Sequence, residues 1–172
     1  MGGIKPGTTA WDEQSLKHDK LVREAANKAF DILSDQYPKL QKQSKLSKAQ
    51  IVGGIGGCQP DGGVWFYDGK LIAAFEAKKQ NNKGNAIERW YKNCHIIKDI
   101  NHRCPLVTYA TGDGAREGNV IWKILHSAHK GQYDVIRENG PSCFLKPEGF
   151  TMEELIDNMK KFVLGEITRS NT

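Results

Sequence analysis

The chain has 172 residues, 38% hydrophobic and 26% charged. That composition suits one folded domain with a proper core and excludes a disordered chain. No apolar run approaches a membrane span. The opening MGGIKPGTTAWDEQ lacks the apolar stretch of a secretory signal, and Pro6 stands where myristoylation needs Ser or Thr. Four cysteines without a CxxC pair make a reducing cytoplasm the expectation, and a net charge of +5 with a pI near 9.0 permits nucleic-acid binding without establishing it.

The first ten residues are expected to form a flexible arm. A helix is predicted from about Asp12 to Gln36, because Leu21, Val22, Ala25, Ala26, Ala29, Phe30, Ile32 and Leu33 recur at helical spacing before Pro38. Lys39 to Gln50 is basic and polar and reads as a loop or short helix. Ile51 to Gly57 is glycine-rich but lacks the Lys-Ser/Thr of a nucleotide loop, so close backbone approach or flexibility is its reading.

Val64–Tyr67 and Leu71–Lys78 read as the strands of a hairpin, with Asp68-Gly69 as a type I′ turn. Helices are predicted from Asn85 to Ile100, from Asn119 to His129, and from Thr151 to Gly165, the last opened by a Thr151/Glu154 capping box. Pro105–Ala110 reads as a buried strand ended by Thr111-Gly-Asp-Gly114, and Tyr133–Ile136 as a short strand. Cys58, Cys94, Cys104 and Cys143 include no CxxC pair. With His95 and His102, Cys94 and Cys104 match no standard zinc spacing, so buried free thiols in a reducing compartment are expected.

The hairpin allows a geometric deduction. In a two-residue turn Tyr67 pairs with Lys70, and continuing that pairing without a slip sets Asp61 opposite Glu76. Lys78 lies two residues on and shares the face, while Phe75 and Ala77 point to the core. A bulge at Gly62-Gly63 would shift the register. Facing carboxylates repel, and a divalent cation resolves the conflict: Mg²⁺ takes carboxylate oxygens, here Asp61 and Glu76 with the Ala77 carbonyl. Lys78 would stabilise developing charge on a phosphate or orient and help deprotonate the attacking water. Alone, Pro-Asp-Gly-Gly is an ordinary turn and Glu-Ala-Lys-Lys an ordinary strand end; the pairing makes them specific.

Asn85 and Arg89 share a face at the start of the following helix. They are the residue types that contact adenine and guanine edges, and Ala86 could touch a thymine methyl. An Asn N-cap followed by a solvated Glu88–Arg89 pair is the plainer reading of the same residues. On the first helix, Glu24 is either a further metal-bridging carboxylate or part of a solvated face.

Pro60-Asp61-Gly62-Gly63, Glu76-Ala77-Lys78, Gly84-Asn85-Ala86-Ile87-Glu88-Arg89 and Lys92-Asn93 stand in an order that resembles the EcoRI-like (EcoRI and MunI) type II restriction endonucleases of the PD-(D/E)xK superfamily. The likeness spans about residues 58 to 95, and Pro105 to Gly114 resembles the next strand and loop of that family. It implies an α/β fold, with a mixed central sheet flanked by helices in a single nuclease domain over residues 1–172. It also implies dependence on Mg²⁺ (with Mn²⁺ as a substitute) and cleavage of double-stranded DNA by a homodimer. By position, Asp61, Glu76 and Lys78 would be catalytic. Asn85, Ala86 and Arg89 would read an AATT-like core, Gly84 would lie against the DNA, Glu88 would buttress the recognition region, and Arg116 is the candidate for outer base pairs. Two other readings stay open: a nicking or structure-selective nuclease, monomeric if a nickase, that turns Asn85 and Arg89 to phosphates, and a non-catalytic DNA-binding module.

Overall fold

In the computed structural model, residues 9–79, 85–104, 106–119, 121–125 and 143–171 are described. They form an α/β structure with one five-stranded mixed sheet flanked by helices. In chain order the elements are α1 (Thr9–Ser34), β1 (Leu40–Gln43), β2 (Val64–Tyr67), β3 (Lys70–Lys78), α2 (Asn85–Ile100), β4 (Leu106–Ala110), β5 (Cys143–Leu145) and α3 (Met152–Ser170). The strands lie in sequence order: β1, β2 and β3 pair antiparallel, and β3, β4 and β5 parallel.

Both faces of the sheet are covered. On one side Val22, Ala26 and Leu33 of α1 and Leu155, Met159 and Phe162 of α3 pack against Trp65, Phe75, Val107 and Tyr109. On the other side Ile87, Trp90, Cys94 and Ile97 of α2, with Ile121 and Leu125 of the helical residues 121–125, pack on Val64, Leu71, Ala74 and Leu106. The Trp90 indole N–H donates to Thr108 Oγ1 at 2.8 Å, which fixes α2 over β4 while satisfying two buried polar groups. All four cysteines are buried, and burial pushes the Cys58 thiol up to about 12. No helix among the described residues is long and apolar enough to cross a membrane.

The sequence reading of α1, β2, β3, α2 and β4 agrees with these elements to within a few residues. The turn is left-handed at both Asp68 (φ 51°) and Gly69 (φ 80°), as a type I′ turn requires. Thr151 Oγ1 accepts from the Glu154 amide and Glu154 Oε1 from the Thr151 amide, completing the expected capping box, but the helix runs past Gly165 to Ser170.

Several expectations are corrected, and one strand was not anticipated. Lys39–Gln50 is not simply loop: Leu40–Gln43 pairs with β2 as an edge strand, buried only at Leu40, so no apolar alternation announces it. Cys143–Leu145 is a strand beside β4 that no sequence signal marked. The hairpin register also slips. Tyr67 pairs with Lys70 and Phe66 with Leu71, but Trp65 then pairs with Ala73, leaving Ile72 as a bulge. The arm expected over the first ten residues is overrun by α1, which already includes Thr9 and Ala10; its residues 1–8, the Tyr133–Ile136 expectation and residues 126–129 of the expected helix lie outside the described residues.

Candidate active site

The site grows from the loop before β2. At Gly62 an added Cβ would stand 2.6 Å from Phe75 Cβ and 3.5 Å from Ala26 Cβ; only glycine lets this loop lie against β3 and α1. Gly62 N–H donates to Phe75 O at 2.8 Å, and the Trp65 indole N–H donates to Gly62 O at 3.0 Å. Held there, Asp61 donates its amide to Glu76 Oε1 at 3.1 Å, and its Oδ2 accepts from the Ala77 amide at 3.0 Å.

The register slip would set Asp61 across from Ala77 rather than Glu76. The two acidic residues nevertheless meet, because each reaches the other's neighbourhood through a backbone N–H. Glu76 and Lys78 share a face of β3 and are 8% and 7% exposed, whereas Phe75 and Ala77 belong to the opposite core. From α2, the buried Asn93 side chain donates to Glu76 Oε2 at 3.4 Å, a long bond that steadies the second carboxylate oxygen.

These groups line a cleft of about 790 Å³. Asp19 from α1 also lines it, as do Lys45 and Lys48, Gly56 to Gln59, and Arg89 and Lys92 from α2. The lysine-bearing loop is organised locally. Leu46 is buried and donates its amide to Cys58 O at 3.0 Å, and the side chains of Gln43 and Gln50 exchange hydrogen bonds at 2.8 and 3.0 Å. Lys45 and Lys48 are thereby presented at the rim while their neighbours are anchored.

The hairpin reading brings Asp61, Glu76 and Lys78 together, and the structure gathers them with Ala77 in one cleft that Arg89, expected to read bases from α2, also lines. Glu24 is not there: it is exposed and pairs with Lys20 at 3.8 Å. The carboxylate that α1 contributes is Asp19. Arg116 does not line the cleft either; its guanidinium pairs with Asp113 at 3.0 Å on the surface. Glu88 is exposed beside Arg89. Gly84 and the side chains of Asn85 and Ala86 lie outside the described residues. Sequence reasoning missed Asp19 as a site residue and gave Asn93 no role. The signal for Asp19 was available: Asp19, Arg23 and Asn27 recur every four residues along one border of the apolar stripe of α1.

The electrostatics are those of crowded like charges. Burial, then the adjoining Asp61, holds the Glu76 carboxyl well above the usual carboxylate range, with Lys78 opposing. Burial lowers the Lys78 ammonium while Glu76 and Asp61 hold it up. Burial and the Asp61 charge push Asp19 up to about 7. A divalent cation fits this donor set: Asp61 and Glu76 supply hard oxygen ligands, Ala77 lies at the same wall, and the cation would relieve their repulsion.

A stability prediction follows. In the metal-free protein the unfolded chain ionises Asp19 in the ordinary carboxylate range, while the folded chain keeps its proton until about 7. The folded state thus binds more protons over that window, and this group's contribution declines as pH rises through it. Thermal melts in EDTA across this range should show Asp19→Asn gaining on the wild type as pH rises. A constant difference would mean that Asp19 titrates normally. No protein-family model and no curated protein matches the chain.

Proposed function

We propose that the protein is a Mg²⁺-dependent endonuclease with a PD-(D/E)xK core. It would hydrolyse phosphodiester bonds in double-stranded DNA at a short specific site, in the manner of the EcoRI-like restriction enzymes. The observation that carries the reading is the meeting of Asp61, Glu76 and Lys78 in one cleft whose rim bears Lys45, Lys48, Arg89 and Lys92. A pure DNA-binding surface gains nothing from buried carboxylates near phosphate, where they repel. The mixed sheet, with the motif carried on its hairpin, is compatible with that core.

Asp61 and Glu76, with the Ala77 carbonyl, would hold the cation, which when bound polarises a phosphoryl oxygen and acidifies water. The chain's own residues supply the rest. Lys78, nearly buried beside both carboxylates, would stabilise charge on the phosphate being attacked and orient the water. Asn93 fixes Glu76, and the Ala77 amide fixes Asp61. Lys45, Lys48 and Lys92 would bind backbone phosphates.

Digestion of a long linear DNA with Mg²⁺, followed by sequencing of the ends, tests the specificity. A common motif at the ends, with AATT at its core, is the expected result; ends without a motif would remove the restriction reading. Arg89 is exposed but lines the cleft itself, which favours one second reading, a nicking or structure-selective nuclease that uses it for phosphate. Arg89→Ala separates the two. Loss of site preference by roughly tenfold or more, with general affinity kept, is expected for base contact. Equal loss on all sequences would assign Arg89 to phosphate.

A further inference from the structure

A second cleft, of about 350 Å³, adjoins the first. Asp61 and Gln59 line both, so the two form one groove that passes over the catalytic carboxylate. Its walls carry Arg23 and Asn27 from α1, and Lys42 and Ser44 from β1 and the residue after it. Asp19, Arg23 and Asn27 are spaced by four, so α1 lays one polar stripe along the whole groove: Asp19 in the first cleft, Arg23 and Asn27 in the second.

Among the described residues neither Arg23 nor Lys42 belongs to an ion pair. Lys42 is only partly exposed, and its burial disfavours the charged form, with Asp31 opposing at longer range. A partly desolvated cation outside any ion pair is stabilised by an anion. The flanking groups, an amide and a hydroxyl, are neutral donors that suit phosphate oxygens, and an arginine and a lysine add a fork and a point charge.

We propose that this cleft is a second phosphate subsite, in which Arg23 and Lys42 hold a phosphodiester on the other side of Asp61 from Lys45, Lys48 and Lys92. The proposal rests on the nuclease reading and deepens it. The strand that is cut would cross Asp61 with cations engaging its backbone on both sides. Arg23 and Lys42 are positioning residues: they fix where the strand lies and touch no reacting atom.

The test uses the Arg23→Gln/Lys42→Gln double variant of the full chain, with Lys123→Gln/Lys161→Gln, two exposed lysines that line neither cleft, as a control for the same loss of charge. Cleavage of a duplex oligonucleotide with Mg²⁺ should show KM raised roughly tenfold with kcat changed by less than about twofold. Duplex binding without Mg²⁺ should show the slope of log K against log salt reduced by about 2, at about 0.9 for each phosphate no longer neutralised. Restoring charge with Arg23→Lys/Lys42→Arg should recover the slope.

KM and salt slope matching the Lys123→Gln/Lys161→Gln control would overturn the subsite. If the wild type binds duplex but does not cut it, the nuclease reading fails while the binding arm still decides the subsite. A wild type that neither cuts nor binds overturns both.

Discussion

Lys78→Ala is expected to lower the single-turnover cleavage rate by roughly 10²–10³-fold, the scale set by removing one charge-stabilising donor from a preorganised site. Lys78 is 7% exposed and lies among the charges of Glu76 and Asp61, so no exposed lysine can take its place. Duplex affinity should change little, because Lys45, Lys48, Arg89 and Lys92 at the rim are untouched. Glu76→Ala should cut as poorly. Its stability effect provides an independent check. Glu76 is buried beside another carboxylate, so Glu76→Gln should raise the melting temperature of the metal-free protein at neutral pH while abolishing cleavage. A cleavage rate near wild type in either Lys78→Ala or Glu76→Ala would move the chemistry elsewhere in the chain.

The second large effect is expected from Gly62→Ala, which changes no charge and removes no side chain. The new methyl would stand 2.6 Å from Phe75 Cβ and 3.2 Å from Phe75 O. Neither is the end of a flexible side chain, so the loop must move. Moving it strains the Gly62–Phe75 and Trp65–Gly62 hydrogen bonds, and overpacking of this kind costs about 1–3 kcal/mol. Because Asp61 is the preceding residue, the displacement passes directly to the site, where a shift of about 1 Å is worth roughly 10²-fold in rate. Denaturant melts and single-turnover rates should therefore fall together. Gly57→Ala, with open space at its Cβ, should keep its stability. A Gly62→Ala protein with wild-type stability and rate would show that the loop is not held tightly against β3.

How much of this was legible in the sequence depends on which signal each residue carried. β2, β3 and their turn were readable because apolar strand runs flanked Asp68-Gly69, whose left-handed φ values are a local property. The register was not, because the slip falls at Ile72, where no glycine marks it, rather than at Gly62-Gly63. The face assignment of Glu76 and Lys78 survived because it depends only on alternation beyond the bulge. β1 escaped notice because three of its four residues are polar on an exposed edge, and its pairing with β2 is a tertiary fact.

Within the site, Asp61, Glu76 and Lys78 were found because they sit on one hairpin. Asp19 was missed because its proximity depends on how α1 rotates over the sheet, whereas Glu24 takes the solvated-face reading of the two the sequence left open. Asn93 stood out by resemblance alone, since its bond to Glu76 requires knowing which face of α2 looks into the cleft.

Incubation of supercoiled plasmid with the wild-type protein and with Glu76→Ala, each with Mg²⁺ and with EDTA, tests the central claim most directly. The account predicts conversion of supercoiled to linear or nicked DNA by the wild type with Mg²⁺ alone. It predicts conversion slowed by roughly 10²-fold or more for Glu76→Ala with Mg²⁺, and none in EDTA. Plasmid left intact by the wild type, or cut equally by Glu76→Ala, would contradict it.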